Sequence, residues 1–272
     1  MRLGRLIRDA AVLLLLAAYV VPFFWQLVTS FKPDAEILAL PPLLPSRLTL
    51  EHYQAVLDES LIPRALVNSL GIAALTTLLA VTLGVPAGYA LARLPIPGKG
   101  ALLLGIIAST AFPQIATVSP LYLLLRALGL RDTWVALILA HTSFALPLML
   151  WLLAGFIREI PEDLEDAAFL DGASRLQVLR WIVLPLAAPG LASAALLTFL
   201  FSWNEFLFAY TFTATEASRT VPVALALFPG VFEVPWGDIA AASILASLPP
   251  VLIVVGLQRY LVRGMLAGAV RE

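Results

Sequence analysis

The chain has 272 residues, of which 61% are hydrophobic and only 13% are charged, and its formal net charge is −1. A soluble domain carries about 25% charged residues, so this chain cannot cover a water-facing surface and must have lipid as its main solvent. The nearly balanced charge gives no field that would attract nucleic acid. Cysteine is absent and histidine occurs only twice, which excludes disulfides and thiolate metal sites and argues against a histidine-rich metal site.

The first apolar stretch, residues 10–31, follows Arg2, Arg5 and Arg8 as the apolar region of a signal peptide would. It is longer than the roughly 7–15 residues of such a region, and no small-residue cleavage site follows it. We therefore expect an uncleaved membrane span that is preceded by a cytoplasmic N-terminus.

Six stretches reach the roughly 20 apolar residues that a helix needs to cross a bilayer. No repeat, linker or low-complexity tract indicates a second domain. The sequence therefore predicts an all-α polytopic membrane protein, with residues 1–272 in one transmembrane domain. The predicted spans are residues 10–31, 65–92, 100–124, 134–156, 186–212 and 238–262.

Lys and Arg are distributed unequally between the two sides that these spans define. Eleven of the 17 fall on one side and six on the other, and the richer side is expected to be cytoplasmic. An even number of spans then places both termini in the cytoplasm. The richer side carries Arg2, Arg5, Arg8, Arg93, Lys99, Arg158, Arg175, Arg180, Arg259, Arg263 and Arg271.

Seven prolines lie inside the predicted spans, and each removes a helix hydrogen bond and favours a kink. Membrane helices tolerate a single proline where neighbouring groups satisfy the freed carbonyl. Seven together favour a transporter with broken helices over a simple anchor. These residues are Pro86, Pro113, Pro120, Pro147, Pro189, Pro249 and Pro250.

The longest cytoplasmic connection, residues 157–185, is called the elbow below. Its first half predicts a helix with Pro161 at the first position and acidic residues in the first turns, where the helix dipole favours anions. Ala167 and Ala168 lie on one face with Leu164 and Asp171, and small residues allow another backbone to approach closely. Gly172 stands where a glycine ends a helix in the left-handed conformation.

A second short helix should follow this turn. Ser174 with Gln177 three residues later predicts a capping box, and an apolar stripe follows from Leu176 to Val183 through Leu179 and Ile182. Binding of the elbow to lipid headgroups is the simpler alternative. The acidic residues disfavour it, because the inner leaflet is anionic, and they favour a protein socket.

The elbow closely resembles the EAA loop of ABC importer permeases, whose pattern is roughly E-A-A-x-x-x-G followed by I-x-L-P. The matching residues are Glu165-Asp-Ala-Ala-Phe-Leu-Asp-Gly-Ala and then Ile182-Val-Leu-Pro185. Nearly the whole chain is similar to the shorter, six-span permease of maltose-type carbohydrate importers. One departure is Asp166, where relatives often carry a second Glu.

This resemblance implies a partner for the elbow. In the family the loop is a coupling helix that sits in a cleft of a cytoplasmic ATPase, so Glu165, Ala167, Ala168, Asp171 and Gly172 are expected to make that contact. The tail, Gly264 to Glu272, is expected to reach toward the ATPase dimer.

The family resemblance also implies the other subunits and the location. They are a second permease subunit, which completes a heterodimer, two ATPase subunits that bind ATP and Mg²⁺, and an external solute-binding protein. The expected location is the cytoplasmic (inner) membrane of a bacterium or archaeon, in contact with lipid.

The chain itself is expected to be a non-catalytic transport subunit without a cofactor or metal of its own. It has no G-x-x-x-x-G-K-[ST] phosphate loop, and Gly98-Lys99, with Arg93 at the place of the first glycine, is the nearest approach. ATP hydrolysis should therefore occur in the partner.

Glu205 is the only acid well inside an apolar stretch, and charges at such depth usually face a cavity or a partner. It could line the solute path together with Trp203, Asn204 and Phe206, or it could be an interfacial or paired carboxylate. His141 is expected to be packed and hydrogen-bonded. The weaker polar candidates are Asn68, Thr76, Thr77, Gln114, Thr117, Ser119, His141 and Ser143.

The leading hypothesis is a permease of an ATP-driven sugar importer. One alternative is an ABC permease for another solute, such as a glycerol-phosphate ester; a run of basic residues facing the path would support it, and no such run occurs within the spans. Another is an ion-driven secondary transporter, which would need buried acid or basic relays in several spans. A non-transporting scaffold is disfavoured by the organised elbow.

Overall fold

The computed structural model describes residues 2–37, 44–228 and 234–269, with side chains for residues 7–37, 44–228 and 234–258. Within these ranges every regular element is a helix, which confirms the all-α prediction. One π-helical turn, Leu179–Val183, is included among them. The helices are α1 (Arg2–Thr29), α2 (Asp34–Ile37), α3 (Glu51–Glu59), α4 (Ile62–Arg93), α5 (Lys99–Thr110), α6 (Gln114–Ala127), α7 (Trp134–Arg158), α8 (Asp163–Leu170), α9 (Arg175–Val178), α10 (Leu184–Asn204), α11 (Leu207–Phe212), α12 (Val221–Ala226) and α13 (Trp236–Ala269).

In the described ranges, five helical segments are long and apolar enough to cross a membrane, and one pair of helices bent by 90° would make a sixth crossing if the pair forms one span. This count confirms the multi-pass architecture. The five segments are Ile7–Thr29, Ile62–Arg93, Trp134–Arg158, Arg175–Asn204 and Trp236–Gln258.

The predicted third span, residues 100–124, is not one helix. α5 and α6 meet at 90°, with Pro113 in an extended conformation between them. A proline disfavours helical backbone at the residue before it, here Phe112, and it has no N–H to continue the ladder. The bend follows from that local chemistry.

The fifth span also differs from the prediction of residues 186–212. It begins at Arg175 and ends at Asn204, because the elbow runs into it without a break and Glu205 adopts an extended backbone. The remaining six prolines of the spans lie inside continuous helices. Among the seven, only Pro113 breaks a helix.

The chain divides into two compact units, Met1–Arg64 with Ala224–Leu248 and Ala65–Val223 with Pro249–Glu272. The assignment of residues 1–272 to one transmembrane domain stays a prediction. The second unit contains the elbow and the candidate path residues.

In the second unit, α4 packs closely on α7 through glycines. A Cβ at Gly84 would lie 2.7 Å from Cγ of Met149, and one at Gly88 would lie 3.0 Å from Cβ of Leu153. Small residues let membrane helices approach until their backbones nearly touch, and the resulting van der Waals packing is a main source of association in lipid. The apolar core that begins here continues to Val178 at the elbow.

Asp132 organises the connections at the other end of this unit. Its φ is +63°, and its N–H donates to the carbonyl of Phe212 at 2.9 Å. Its carboxylate accepts from the N–H groups of Ala214 and Thr215 at 2.8 and 3.1 Å and from the hydroxyls of Thr215 and Ser218. Burial alone would raise the pKa of Asp132, but these hydrogen bonds lower it to about 2.

In the first unit, His52 of α3 joins the start of α13. Its Nδ1 lies 2.7 Å from Oδ1 of Asp238, and its Nε2 lies 2.8 Å from the carbonyl of Lys32. Gly237 leaves room for the ring, because a Cβ there would lie 2.2 Å from it. Burial lowers the pKa of His52, but the bonds to Asp238 and to the Lys32 carbonyl, with the charges of Asp34 and Asp238, raise it overall.

Candidate functional site

The turn at the centre of the elbow has the geometry that its sequence predicts. Gly172 has φ +84°; its N–H donates to the carbonyl of Phe169 at 3.0 Å, and that of Ala173 donates to Ala168 at 2.9 Å. These two bonds are those of a Schellman motif, which satisfies carbonyls at a helix end. The left-handed glycine is confirmed.

The capping box of the second short helix is also confirmed. Ser174 N–H donates to Oε1 of Gln177 at 2.7 Å, and the N–H of Gln177 donates to Oγ of Ser174.

The predicted start of α8, Pro161, is too early. The helix begins at Asp163 rather than Pro161. The N–H of Glu165 donates to the carbonyl of Glu162, three residues earlier, instead of to the carbonyl of Pro161, four residues earlier, so the chain there forms a turn and not yet an α-helix.

The apolar stripe predicted after the turn is partly wrong. Leu176 is 73% exposed, whereas Val178 and Val183 are fully buried. Val178 and Val183, five residues apart, lie on the same face because the chain between them forms a π-helical turn, Leu179–Val183. Sequence periodicity assumed an uninterrupted α-helix and therefore selected Leu176.

A buried polar cluster attaches the elbow to α4. Nε of Arg93 donates to Oε1 of Glu165 at 2.6 Å, and the hydroxyl of Tyr89 donates to Oε2 of Glu165 at 2.9 Å. Nη2 of Arg93 donates to the carbonyl of Ile160 at 2.6 Å. The side chains of Arg93 and Glu165 are 7% and 4% exposed, so the pair is shielded from water and weakly screened.

This cluster bears on the expectation that Glu165 contacts the ATPase, which stays a prediction. Its carboxylate is buried and has its partners Tyr89 and Arg93 inside the chain. The neighbouring Asp166 is exposed. The pattern E-A-A-x-x-x-G ends at Gly172, so its acid aligns with Asp166, one position after Glu165.

The other predicted coupling residues divide between the two sides of α8. Ala167, Asp171 and Gly172 are exposed, whereas Ala168 is half-buried and packs against the core of the second unit. The exposed surface is also apolar. Leu164 and Leu170, which precede the fifth span, are 45% and 90% exposed. Exposed apolar residues of this kind on a cytoplasmic loop suit an interaction surface. The predicted contact of the tail lies outside the described side chains.

Glu205 is the centre of a second buried polar cluster. It follows the last residue of α10, and its two carboxylate oxygens accept from the N–H groups of Phe208 and Ala209 at 2.8 and 3.0 Å. Nε2 of His141 lies 3.1 Å from Oε2 of Glu205, and Nδ1 of His141 lies 2.7 Å from Oγ of Ser202. The packed, hydrogen-bonded state expected for His141 is confirmed.

The four predicted path residues therefore do not form one surface. Glu205 is 5% exposed and holds the start of α11, while Trp203 is 4% exposed and stacks on Phe199. Phe206 is 41% exposed, and Asn204 is exposed with its amide donating to the carbonyl of Leu200. Glu205 is buried because α10 ends just before it and its carboxylate accepts hydrogen bonds from the first turn of α11.

Membrane-spanning helices with a structured elbow between two spans are the architecture expected of the membrane-embedded permease subunit of a transporter. The family model described as "Binding-protein-dependent transport system inner membrane component" matches residues 80–267, and the chain belongs to this family.

Two characterised relatives cover almost the whole chain. The chain is 46% identical over 253 residues to the trehalose transport system permease protein SugB of Mycobacterium tuberculosis, covering 92% of each. It is 39% identical over 272 residues to the trehalose/maltose transport system permease protein MalG of Thermococcus litoralis, covering 99% of this chain and 98% of that one. These matches confirm the resemblance to maltose-type permeases.

The fold is also found among solved structures. A chain of a bacterial ABC transporter that imports the acidic polysaccharide alginate superposes with a TM-score of 0.84, covering 96% of this chain and 97% of that chain. The sequence identity is 21%, so this likeness concerns the fold.

Proposed function

We propose that this chain is the permease subunit of an ATP-driven, binding-protein-dependent sugar importer and forms half of the translocation path. Membership of the inner-membrane component family and the sugar-permease relatives support the proposal. The observation that carries it is the elbow, whose fixed turn and exposed apolar surface suit a separate protein.

The elbow would couple a separate ATPase to the spans through two sets of residues, one that binds the ATPase and one that fixes the elbow to α4. Its exposed residues, including Asp166, Ala167, Leu170 and Asp171, would enter a cleft of the ATPase. Glu165 would not touch the ATPase but would fix the elbow to α4 through Arg93. ATP and Mg²⁺ would be bound by the ATPase, and this subunit would convert its closure into movement of helices.

The remaining partners follow the same proposal. A second permease subunit would complete the path, and an external solute-binding protein would deliver the sugar and bias the transporter between its states, since a ligand shifts states only by differential affinity. Lipid would surround the spans of the multi-pass inner-membrane protein. The asymmetric distribution of Lys and Arg supports the proposal that both termini lie in the cytoplasm.

Cysteine cross-linking tests the docking role directly, because the chain has no cysteine of its own. Ala167→Cys should cross-link to cysteines introduced at the edges of the ATPase cleft in the assembled transporter. The matched control is Ala101→Cys, which is exposed near the start of α5 but lies outside the elbow. Capture of lipid alone by Ala167→Cys would contradict the proposal.

Uptake into proteoliposomes separates the alternatives. With the binding protein outside and ATP inside, trehalose or maltose should accumulate and glycerol phosphate should not. Accumulation of glycerol phosphate would indicate the other ABC substrate class. Uptake driven by an ion gradient without ATP would indicate a secondary transporter.

A further inference from the structure

With Lys99 at the cytoplasmic boundary and α5 along the membrane normal, the length of α5 brings the break between α5 and α6 near the middle of the membrane. α5 begins at Lys99 and has 12 residues, which at 1.5 Å per residue brings Thr110 about 18 Å from the membrane boundary. The hydrocarbon core of a bilayer is about 30 Å thick. The chain therefore turns by 90° at roughly half the depth of the hydrocarbon region.

Irregular backbone at this depth cannot face lipid tails, because its N–H and C=O groups would have no partner. It is tolerated only where it is covered by protein or lines a water-filled cavity. In the second unit, Ala111, Phe112 and Pro113 are exposed. The surface of the break must therefore belong to the path or to a covered interface.

Two cavities open at the break. Their volumes are about 370 and 420 Å³, and both are lined by Thr110, Phe112 and Phe144. Gln114 and Phe201 line the larger one. Both volumes are within the roughly 300–1,000 Å³ of small-molecule sites.

The polar groups at the break can both donate and accept. The carboxamide of Gln114 has no hydrogen-bond partner among the described residues. Thr110 donates to the carbonyl of Ile107 at 2.7 Å, so its oxygen remains an acceptor. Sugar hydroxyls also donate and accept, and the C–H faces of sugar rings suit aromatic side chains such as Phe112, Phe144 and Phe201.

The lack of charged side chains at the two cavities indicates which class of solute they suit. None of the residues that line either cavity is charged in the described part of the chain. A phosphate or carboxylate would need Lys, Arg or backbone donors to replace its lost water. An uncharged solute with many hydroxyls does not have that requirement.

We infer that the helix break between α5 and α6 is the contact of this subunit with the transported solute, and that the solute is an uncharged carbohydrate. Gln114 supplies the hydrogen bonds, and Phe112, Phe144 and Phe201 supply the apolar faces. This inference rests on the proposed function and moves the contact away from Trp203 and Glu205.

Cysteine accessibility in the complete transporter tests this site. Gln114→Cys and Phe112→Cys should react with a membrane-impermeant methanethiosulfonate during turnover. The matched control, Ile115→Cys, is adjacent and 66% exposed but lines neither cavity, and it should not react. The sugar that the wild type takes up fastest among trehalose, maltose and diacetylchitobiose should slow the labelling of the two site variants.

Transport kinetics provide a second measurement. Gln114→Leu should raise the sugar concentration for half-maximal uptake about three- to tenfold, as expected for one or two lost hydrogen bonds. Ile115→Ala should leave it unchanged. Rates are normalised to the amount of assembled transporter, so a folding defect is not counted as a binding defect.

The outcomes separate this inference from the function on which it rests. If the wild type takes up a sugar but Gln114→Cys is unlabelled, or is labelled without protection by the sugar, the site is overturned and the importer assignment stands. If the wild type takes up no sugar with a loaded binding protein and ATP, the proposed function fails.

Discussion

Nε of Arg93 on α4 lies 2.6 Å from Oε1 of Glu165 in the elbow, although 72 residues of sequence separate them. The guanidinium also binds the carbonyl of Ile160 at the entry of the elbow. α4 thus holds the elbow by charge-assisted hydrogen bonds at two points. A displacement of the elbow would be transmitted to a membrane-spanning helix without an intervening flexible segment.

Removing one member of this pair should uncouple the elbow. Glu165→Leu leaves the Arg93 charge buried without its partner, which costs about 3–5 kcal/mol, so we expect sugar uptake to fall at least about tenfold while membrane insertion persists. Uptake and proteolysis of the elbow in proteoliposomes measure both effects. Asp163→Asn is the control, because Asp163 is an exposed acid of the same elbow and is not among the partners of Arg93. Normal uptake by Glu165→Leu would show that the pair is dispensable.

Gly172→Ala should distort the turn through backbone strain alone. A Cβ at Gly172 would meet nothing within 4 Å, but φ is +84°, and this region costs other residues about 1–2 kcal/mol. We expect weaker association with the ATPase, and a larger loss for Gly172→Val because it is β-branched. Gly100→Ala, which also has open space but lacks a positive φ, is the control. Co-purification with the ATPase measures the effect, and equal yields of Gly172→Val and wild type would contradict it.

Glu205→Ala should destabilise the junction of α10 and α11. The substitution removes the acceptors of two backbone N–H groups and of His141, and each unsatisfied buried group costs about 1–3 kcal/mol. The midpoint of thermal unfolding in detergent should fall, and Glu205→Gln should fall less because it keeps one acceptor. Asn204→Ala serves as the exposed comparison. A Glu205→Ala protein as stable as Asn204→Ala would argue against the capping role.

Asp132→Ala should loosen the segment that follows α11. Asn tolerates a positive φ better than Ala, so Asp132→Asn separates the loss of acceptors from the backbone strain. Hydrogen exchange of Ala214 and Thr215 should accelerate in both variants, and more in Asp132→Ala. Because the pKa of Asp132 is lowered to about 2, its stabilisation is complete above its ordinary pKa and is lost as pH falls toward 2. Unchanged exchange in Asp132→Ala would contradict this role.

The contact of His52 with Asp238 should make the first unit sensitive to pH. The pKa of His52 is raised, so its stabilising contribution is complete below the unfolded value of about 6.5 and is lost as pH rises through the folded value. Hydrogen exchange in α3 should therefore be slower at about pH 6 than at about pH 8 after correction for the intrinsic rate. Asp238→Asn should reduce the difference, and an unaltered difference would contradict the assignment.

Features that depend on neighbouring residues could be predicted from the sequence. The left-handed Gly172 and the capping box of Ser174 and Gln177 are set by local hydrogen bonds, and the spans follow from apolar length. The break at Pro113 was not separated from the other six prolines, because whether a membrane helix continues depends on groups that other helices supply.

Side-chain direction could not be predicted in the same way. Glu165 and Asp166 are adjacent acids of one motif, and only the distant Arg93 and Tyr89 determine that Glu165 turns inward. The sequence left two roles open for Glu205, a solute-path residue or a paired carboxylate, because its partner His141 lies 64 residues away. The buried Val178 was missed because a π-helical turn changes the residue spacing.

The exposed leucines of the elbow affect how fast an unassembled subunit would be degraded in the cell. Leu170 and Leu176 are 90% and 73% exposed, and under the proposed function the ATPase would cover them. Copies made in excess of the ATPase would carry bare apolar surface of the kind that chaperones and proteases recognise. Matched production of the two subunits would therefore set how long this chain persists.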